Sequence, residues 1–481
     1  MKVQPTHGVF LLSRSVTHTV NSNRSKDELW SEWVTETVLA DINAADTSDP
    51  VPMIDDSGTE LAMTEAYDSY RLGRGSGDYL YLLYLLDEPV TGPVDIIPVY
   101  IGETSNTASR LMTHFRQIRD ALPISKWEDD GSWGSFGKYD HIATVYDRAD
   151  SPLSVWVTDV DEIDTGPYGY PTYRQELEAK NVGLVHSSPQ FNRVLANRDF
   201  VPNRVPHEMG QVGPDWVDLD AEKANEEAKV AHSNGNGDLR GKNKTELWHD
   251  WVGQTICQEI NDPDETDPIP LFETDQNLVV ALTDVGSSTV LKRTPAIDAR
   301  IRQEGKHCVD NDGVSDGPNG LLYVMYQLAS DTPSPEDIIP RYIGKAEAYG
   351  KKNELSANFE EIAKDRAGTR SFARWGDGSY WHVGELSETV FGEDSKKHNW
   401  ASELFEQGTH QLKKQTYLWV RAWDPKKYPG PYGYPAYLAE VEALLIGLAY
   451  EAYPTALLNQ KEVPTEAPAN QMDFQFHPVS E

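Results

Sequence analysis

Tyr100-Ile-Gly102 is followed eight residues on by Arg110 and, four later, by His114. Tyr81 stands upstream; Glu178, with Val182 four residues after it, and Asn192 stand downstream. These side chains suit work on an oxyanion. A guanidinium offers a planar fork of donors that matches phosphate oxygens. A lone carboxylate suits one Mg²⁺ that keeps most of its waters. A tyrosine, with a pKa of about 10 when unperturbed, becomes a usable general base where a cation lowers that value. Phosphodiester cleavage needs such a set: an activated water, neutralised phosphate charge and help for the leaving oxygen.

The same pattern is written twice. Asp95-Ile-Ile-Pro-Val-Tyr-Ile-Gly102 returns as Asp337-Ile-Ile-Pro-Arg-Tyr-Ile-Gly344, and Gly166-Pro-Tyr-Gly-Tyr-Pro171 returns as Gly430-Pro-Tyr-Gly-Tyr-Pro435. Lys26-Asp-Glu-Leu-Trp30 matches Lys244-Thr-Glu-Leu-Trp248. Three blocks in one order indicate a tandem duplication. The second copy keeps Tyr323, Tyr342, Glu442 with Ile446, and Asn459, but lacks the arginine. Eight past Gly344 stands Lys352; aligning Leu355 and Phe359 with Leu111 and Phe115 sets Glu354 against Arg110 and Asn358 against His114. A glutamate there repels phosphate, and a lysine keeps the charge without the fork. Arg366 remains open as a displaced cation.

With these motifs the chain resembles the GIY-YIG nucleases. That family carries a first strand ending near Gly-Ile-Tyr, a second with Tyr-Ile-Gly, an Arg eight past that glycine, often a His four later, and a helix with one Glu followed by an Asn. Here Tyr79 and Leu80 replace Gly-Ile, so Tyr81 is the best match and Tyr84 stays open. The interval to Tyr100 is longer than in the family, which implies an enlarged loop from Asp87 to Asp95. The likeness covers Tyr79 to Asn192. It implies a metal-dependent DNA endonuclease, most simply on double-stranded DNA. In that reading Tyr81 is the general base, Tyr100 positions water, and Arg110 meets phosphate with His114 beside it. Glu178 binds Mg²⁺ (or Mn²⁺), and Asn192 ties the helix to the sheet. The first repeat is then active and the second degenerate, the pair acting as a pseudo-dimer. The alternative is a non-catalytic nucleic-acid-binding or scaffold protein built from degenerate nuclease domains.

The elements that must carry these residues are legible as an α+β fold: two tandem domains, each a small mixed or antiparallel sheet flanked by helices, with an added N-terminal helix. The first domain spans 23–205, a flexible acidic linker 206–241, the second domain 242–463 and a loose tail 464–481. Ser25 and Glu28 form a capping box before a helix whose Leu29, Trp30, Trp33, Val34, Val38 and Ile42 share a face. The tryptophan pair reads as core rather than as a base-stacking platform. Tyr79–Leu86 and Leu321–Leu328 read as matching strands, and Ala108–Leu122 as a helix. His141–Tyr146, Leu153–Val157 and Tyr417–Arg421 read as strands, and Tyr173–Leu184 as the closing helix, giving the order β, β, α, β, α. His141 and His382 read as packed or hydrogen-bonded histidines before a strand. Arg193, Arg198 and Arg204 form the one short basic cluster considered for a DNA-contacting surface.

Asp and Glu number 77 against 43 Lys and Arg, a formal charge of −34. Two explanations compete: a protein that binds cations or basic partners, or adaptation to high salt. The acids are spread through both repeats, which favours the halophilic reading, since at about 1 M salt the Debye length is only ~3 Å. Cys257 and Cys308 sit at no metal-ligand or CxxC spacing, which predicts neither zinc nor a disulfide framework. No run of about 18 apolar residues predicts a membrane span, and the N-terminal stretch does not read as a signal peptide, so a cytoplasmic location is expected.

Overall fold

A computed structural model describes residues 24–44, 50–55, 61–87, 89–122, 136–163, 165–202, 217, 219, 241–262, 268–285, 288–310, 317–350, 355–356, 359–360, 386–391, 398–428, 430–464 and 466–471. The architecture is mixed α and β, with small antiparallel sheets and surrounding helices. Among the described residues no helix is long and apolar enough to cross a membrane.

The first half opens with α1 (Lys26–Glu36) and α2 (Val38–Asn43). The Ser25–Glu28 capping box forms as expected, with Ser25 N donating to Glu28 at 2.6 Å and Glu28 N to Ser25 Oγ at 3.2 Å. The single helix expected through Ile42 is broken at Thr37, which leaves helical backbone geometry at φ −114° and ψ −88° while its hydroxyl donates to Trp33 O at 2.7 Å. A hydroxyl that serves the carbonyl four residues back competes with the helical ladder and bends it. Trp30 and Trp33 are core residues.

After β1 (Val51–Pro52) and α3 (Glu65–Leu72) come β2 (Ser76–Leu86), β3 (Ile96–Asn106), α4 (Thr107–Ala121), α5 (Lys138–Arg148), β4 (Ser154–Asp159) and α6 (Arg174–Ser187). The antiparallel sheet runs β1-β4-β2-β3, which puts β2 near its centre. That position explains why β2 is apolar on both faces. Leu80, Leu82, Tyr84 and Leu86 enter one hydrophobic cluster; Tyr79, Tyr81, Leu83 and Leu85 enter another. Asp95 closes the β2–β3 loop by accepting from Thr91 N at 2.6 Å and Gly92 N at 2.8 Å.

The expected strand at His141–Tyr146 is instead the middle of α5. Its β-branched residues suggest a strand by propensity. However, Asp140 accepts from Gly137 N at 2.6 Å, capping a first turn, and Ile142, Ala143 and Val145 are buried from successive turns. His141 is buried there, its Nε2 3.1 Å from Arg193 O, so the packed role holds while the strand does not. The order is therefore β, β, α, α, β, α.

The second half follows the same order where it is described. It comprises α7 (Lys244–Gln254), α8 (Ile256–Ile260), α9 (Pro295–Asp310), β5 (Gly320–Leu328), β6 (Ile338–Glu347), β7 (Tyr417–Ala422) and α10 (Leu438–Ala452). Its antiparallel sheet runs β6-β5-β7. Thr255 breaks α7 from α8 with the same hydroxyl bond, to Trp251 O at 2.7 Å. Almost all of the expected linker, and His382, lie outside the described residues, as does the tail beyond Gln471. Of that tail, Ala467 and Ala469 are buried rather than loose.

One hydrophobic cluster draws on both halves, uniting Leu29, Trp30 and Leu184 with Trp248, Leu445 and Leu448. The Gly-Pro-Tyr-Gly-Tyr-Pro turns meet in it: Tyr168 stacks on Tyr432 with centroids 4.8 Å apart. Gly169 and Gly433 take φ of +79° and +78°, a region glycine enters without strain. Buried ion pairs cross reciprocally, from Lys26 Nζ to Glu440 at 2.9 Å and from Lys244 Nζ to Glu176 at 2.7 Å.

Candidate active site

The sheet brings Tyr81 and Tyr100 side by side on neighbouring strands. Tyr81 pairs with Gly102 in the register of β2 and β3, and its ring lies where a Cβ on Gly102 would stand. A side chain larger than hydrogen at Gly102 would displace that ring. Arg110 and His114, one turn apart on α4, reach down to the same hydroxyl. Arg110 Nε donates to Tyr81 Oη at 3.0 Å, and Tyr81 Oη lies 2.8 Å from His114 Nε2. Arg110 Nη2 also reaches Tyr100 Oη at 3.4 Å. Tyr81 is therefore the first-strand tyrosine of the set, while Tyr84 points into the opposite cluster.

Burial, with the Arg110 and Lys138 cations adding to it, holds His114 well below the usual histidine range. A neutral ring has a lone pair to offer, and arginine can only donate. The Tyr81 oxygen therefore accepts from Arg110, and one proton lies in the bond between Tyr81 Oη and His114 Nε2. Burial first, then the neighbouring Tyr100, carries the Tyr81 hydroxyl well above its ordinary value. In the protein alone Tyr81 is thus a weaker base-former than the resemblance implies.

Two neighbours were missed in the sequence. Lys138 Nζ lies 3.4 Å from Tyr100 Oη and 4.9 Å from that ring's centroid. Tyr139 packs edge-on to His114 at 5.6 Å. Both open α5, so reading that segment as a strand beginning at His141 hid them; the Gly137–Asp140 cap was the available signal.

Glu178 projects from the second turn of α6. Burial, followed by repulsion from the Glu103 and Asp199 carboxylates, pushes it up to about 8, with Arg110 and Lys138 pulling the other way. It acts in turn on Tyr81 and Tyr100, which places it in electrostatic reach of the patch.

The tie between helix and sheet is made by Asn197 rather than Asn192. Asn197 accepts from Ile101 N at 2.9 Å and donates to Ile101 O at 2.7 Å. Asn459 does the same to Ile343, at 3.0 and 2.8 Å. Asn192 is buried, and its Oδ1 has no hydrogen-bond partner among the described residues. The match of Val194-Leu-Ala-Asn197 with Ala456-Leu-Leu-Asn459 was the overlooked signal.

In the second half Tyr323 and Tyr342 hydrogen-bond to each other, with centroids 6.1 Å apart. Glu442 is also raised to about 8, chiefly by burial; Lys345 opposes the shift, and Glu462 and Glu347 add to it. Lys352, Glu354, Asn358 and Arg366 lie outside the described residues. Glu178 and Glu442 open on one cleft of about 760 Å³ between the halves, lined also by Glu103, Asp199, Lys345 and Glu462. Arg198 lines it too and donates to Phe136 O at 2.8 Å, while Arg204 lies outside the described residues.

Among the described residues no group of three or more His, Cys, Asp and Glu side chains forms a metal cage. The donors present are hard carboxylate oxygens, and burial first, then repulsion from Glu103 and Asp199, disfavours the Glu178 carboxylate, a penalty that a divalent cation would relieve. The set therefore fits a largely hydrated Mg²⁺ on one carboxylate rather than zinc or a copper ion. Compared with protein-family models, curated proteins and solved structures, the chain matches none.

Proposed function

We propose that the chain is a metal-dependent endonuclease that hydrolyses DNA phosphodiester bonds at its first repeat, the second repeat being a degenerate copy from a tandem duplication. The observation that carries this reading is the hydrogen-bonded set of Tyr81, Arg110 and His114 within electrostatic reach of Glu178.

Each residue has a task that follows from its contacts. His114 and Arg110 hold the Tyr81 hydroxyl in place through its two hydrogen bonds. Arg110 braces that oxygen through Nε and keeps its remaining donors for the phosphate. Lys138 and Arg110 together supply the positive charge that a pentacovalent oxyanion needs. Glu178 would hold Mg²⁺ or Mn²⁺, and the ion would supply charge neutralisation at the phosphate and a lowered pKa for bound water. Asn197 and Asn459 fix the helix–sheet connection of each repeat. The net charge of −34 suits work at high salt, where the self-repulsion of the acidic surface is screened.

A second reading, a non-catalytic nucleic-acid-binding or scaffold protein, is favoured by the Tyr323–Tyr342 contact, in which the two hydroxyls of the second half bond to each other. Nicking of supercoiled plasmid, followed in KCl from ~0.2 to ~2 M with Mg²⁺ or with EDTA, separates the two. Mg²⁺-dependent nicking is expected. Binding of DNA without cleavage under any of these conditions would establish the scaffold reading instead.

A further inference from the structure

The Lys-x-Glu-Leu-Trp and Gly-Pro-Tyr-Gly-Tyr-Pro blocks recur in both halves, yet they converge away from the Tyr81 patch, on the first turn of α6. Glu176 is fully buried there. Its carboxylate accepts from Lys244 Nζ at 2.7 Å and Tyr432 Oη at 3.0 Å, and it forms an ion pair with Lys180 Nζ at 2.9 Å. Lys244 and Tyr432 belong to the second half. Residues two apart on a helix lie about 200° around it, so Glu176 faces the shared core while Glu178 faces the cleft. Charge-assisted bonds in a dry interior are short and directional, and they fix the rotation of the turn that carries both. The space is closed as well: a Cβ at Gly447 would overlap the Glu176 carboxyl.

The reciprocal grip is thinner. Among the described residues Glu440 receives one cation, Lys26 Nζ at 2.9 and 3.1 Å. Leu444 stands where α6 has Lys180, and the Tyr168 hydroxyl has no partner among the described residues.

We propose that Lys244 and Tyr432 are positioning residues for Glu178: through Glu176, the second half sets the placement of the first half's metal-binding carboxylate. The proposal rests on the endonuclease reading above, and it gives a repeat with no arginine aligned to Arg110 a role in the other's chemistry.

The test is Mg²⁺ titration of plasmid nicking by the full-length chain, with Tm measured in parallel. The variants are Lys244→Met, Lys26→Met, Tyr432→Phe, Tyr168→Phe and Lys244→Arg. Outer partners of a metal ligand typically change metal affinity about 10-fold or more, so Lys244→Met is expected to raise half-saturating Mg²⁺ by that factor. Tyr432→Phe, which removes one hydroxyl, is expected to raise it about 3-fold, and Lys244→Arg to restore most of the loss. Lys26→Met leaves Glu440 without its cation and is expected to have the lower Tm of the two lysine variants, yet an unchanged Mg²⁺ dependence. Tyr168→Phe is expected to match wild type in both. Shifts that track Tm, or that are equal for Lys244→Met and Lys26→Met, would overturn the positioning role. So would a wild-type Mg²⁺ dependence in Lys244→Met and Tyr432→Phe. A wild-type chain with no Mg²⁺-dependent nicking would overturn the endonuclease reading itself and the inference with it.

Discussion

The two halves share a scaffold and differ in what they place on it. Each sets a central-strand tyrosine opposite the glycine of Tyr-Ile-Gly, pins the Tyr-Ile-Gly strand with an asparagine, and carries a glutamate raised to about 8 on its closing helix. In the first, Arg110 and His114 occupy the Tyr81 hydroxyl and Lys138 approaches Tyr100. In the second, the two tyrosine hydroxyls bond to each other, and Lys345 stands where the first half has Glu103. The difference teaches that the shared scaffold places the tyrosines and the glutamate in both halves, whereas the donors at the Tyr81 hydroxyl come from α4 of the first half.

The comparison breaks most readily at Arg110. Arg110→Ala is expected to reduce nicking by about 10²–10³-fold, the usual cost of removing one oxyanion donor. Arg110→Lys should recover little, because a point charge cannot brace Tyr81 and grip phosphate together. Activity near wild type in either variant would deny the first half its distinction.

Next come the asparagines, where the halves should behave alike. Asn197→Ala and Asn459→Ala each orphan a buried backbone N–H and C=O, at a cost of about 2–3 kcal/mol and a Tm lower by several degrees. Asn192→Ala is expected to cost under about 1 kcal/mol by the same thermal melt. A larger loss at Asn192 than at Asn197 would return the tie to its sequence-based position.

A smaller effect separates the glutamates by pH. Folded Glu178 and Glu442 keep their protons to about pH 8, whereas in the unfolded chain each is released near 4.5. Between those values the folded chain holds the extra protons, so this stabilisation is fully present below pH 4.5 and is lost as pH rises through 8. In EDTA, Tm should therefore fall from pH 5 to pH 8, with Glu178→Gln and Glu442→Gln each flattening the slope. Mg²⁺ at pH 8 should raise Tm by a few degrees for wild type and Glu442→Gln but not for Glu178→Gln. A Mg²⁺ shift that survives Glu178→Gln would place the ion elsewhere.

Much of this was legible because it is local. The β2 and β5 strands, the Ser25 cap and the glutamate helices are written in apolar runs and turn residues that neighbours along the chain can satisfy. Three things were not. The helix at 138–148 carries a β-branched run whose capping signal lies before it, so propensity misleads. Asn197 was passed over for Asn192 because its tie to Ile101 spans 96 positions and only the short match of Val194–Asn197 with Ala456–Asn459 hints at it. The grip of Lys26 on Glu440 spans 414 positions, and a lysine at the start of a helix gives no hint that it will be buried. The recurrence of its block was visible; its partner was not.

The central claim is that the first half does the chemistry. Plasmid nicking by Glu178→Ala and Glu442→Ala, side by side with wild type in Mg²⁺, tests it most directly. The account predicts that Glu178→Ala abolishes nicking while Glu442→Ala stays within a few-fold of wild type. Nicking lost only in Glu442→Ala would contradict it and hand the active site to the second half.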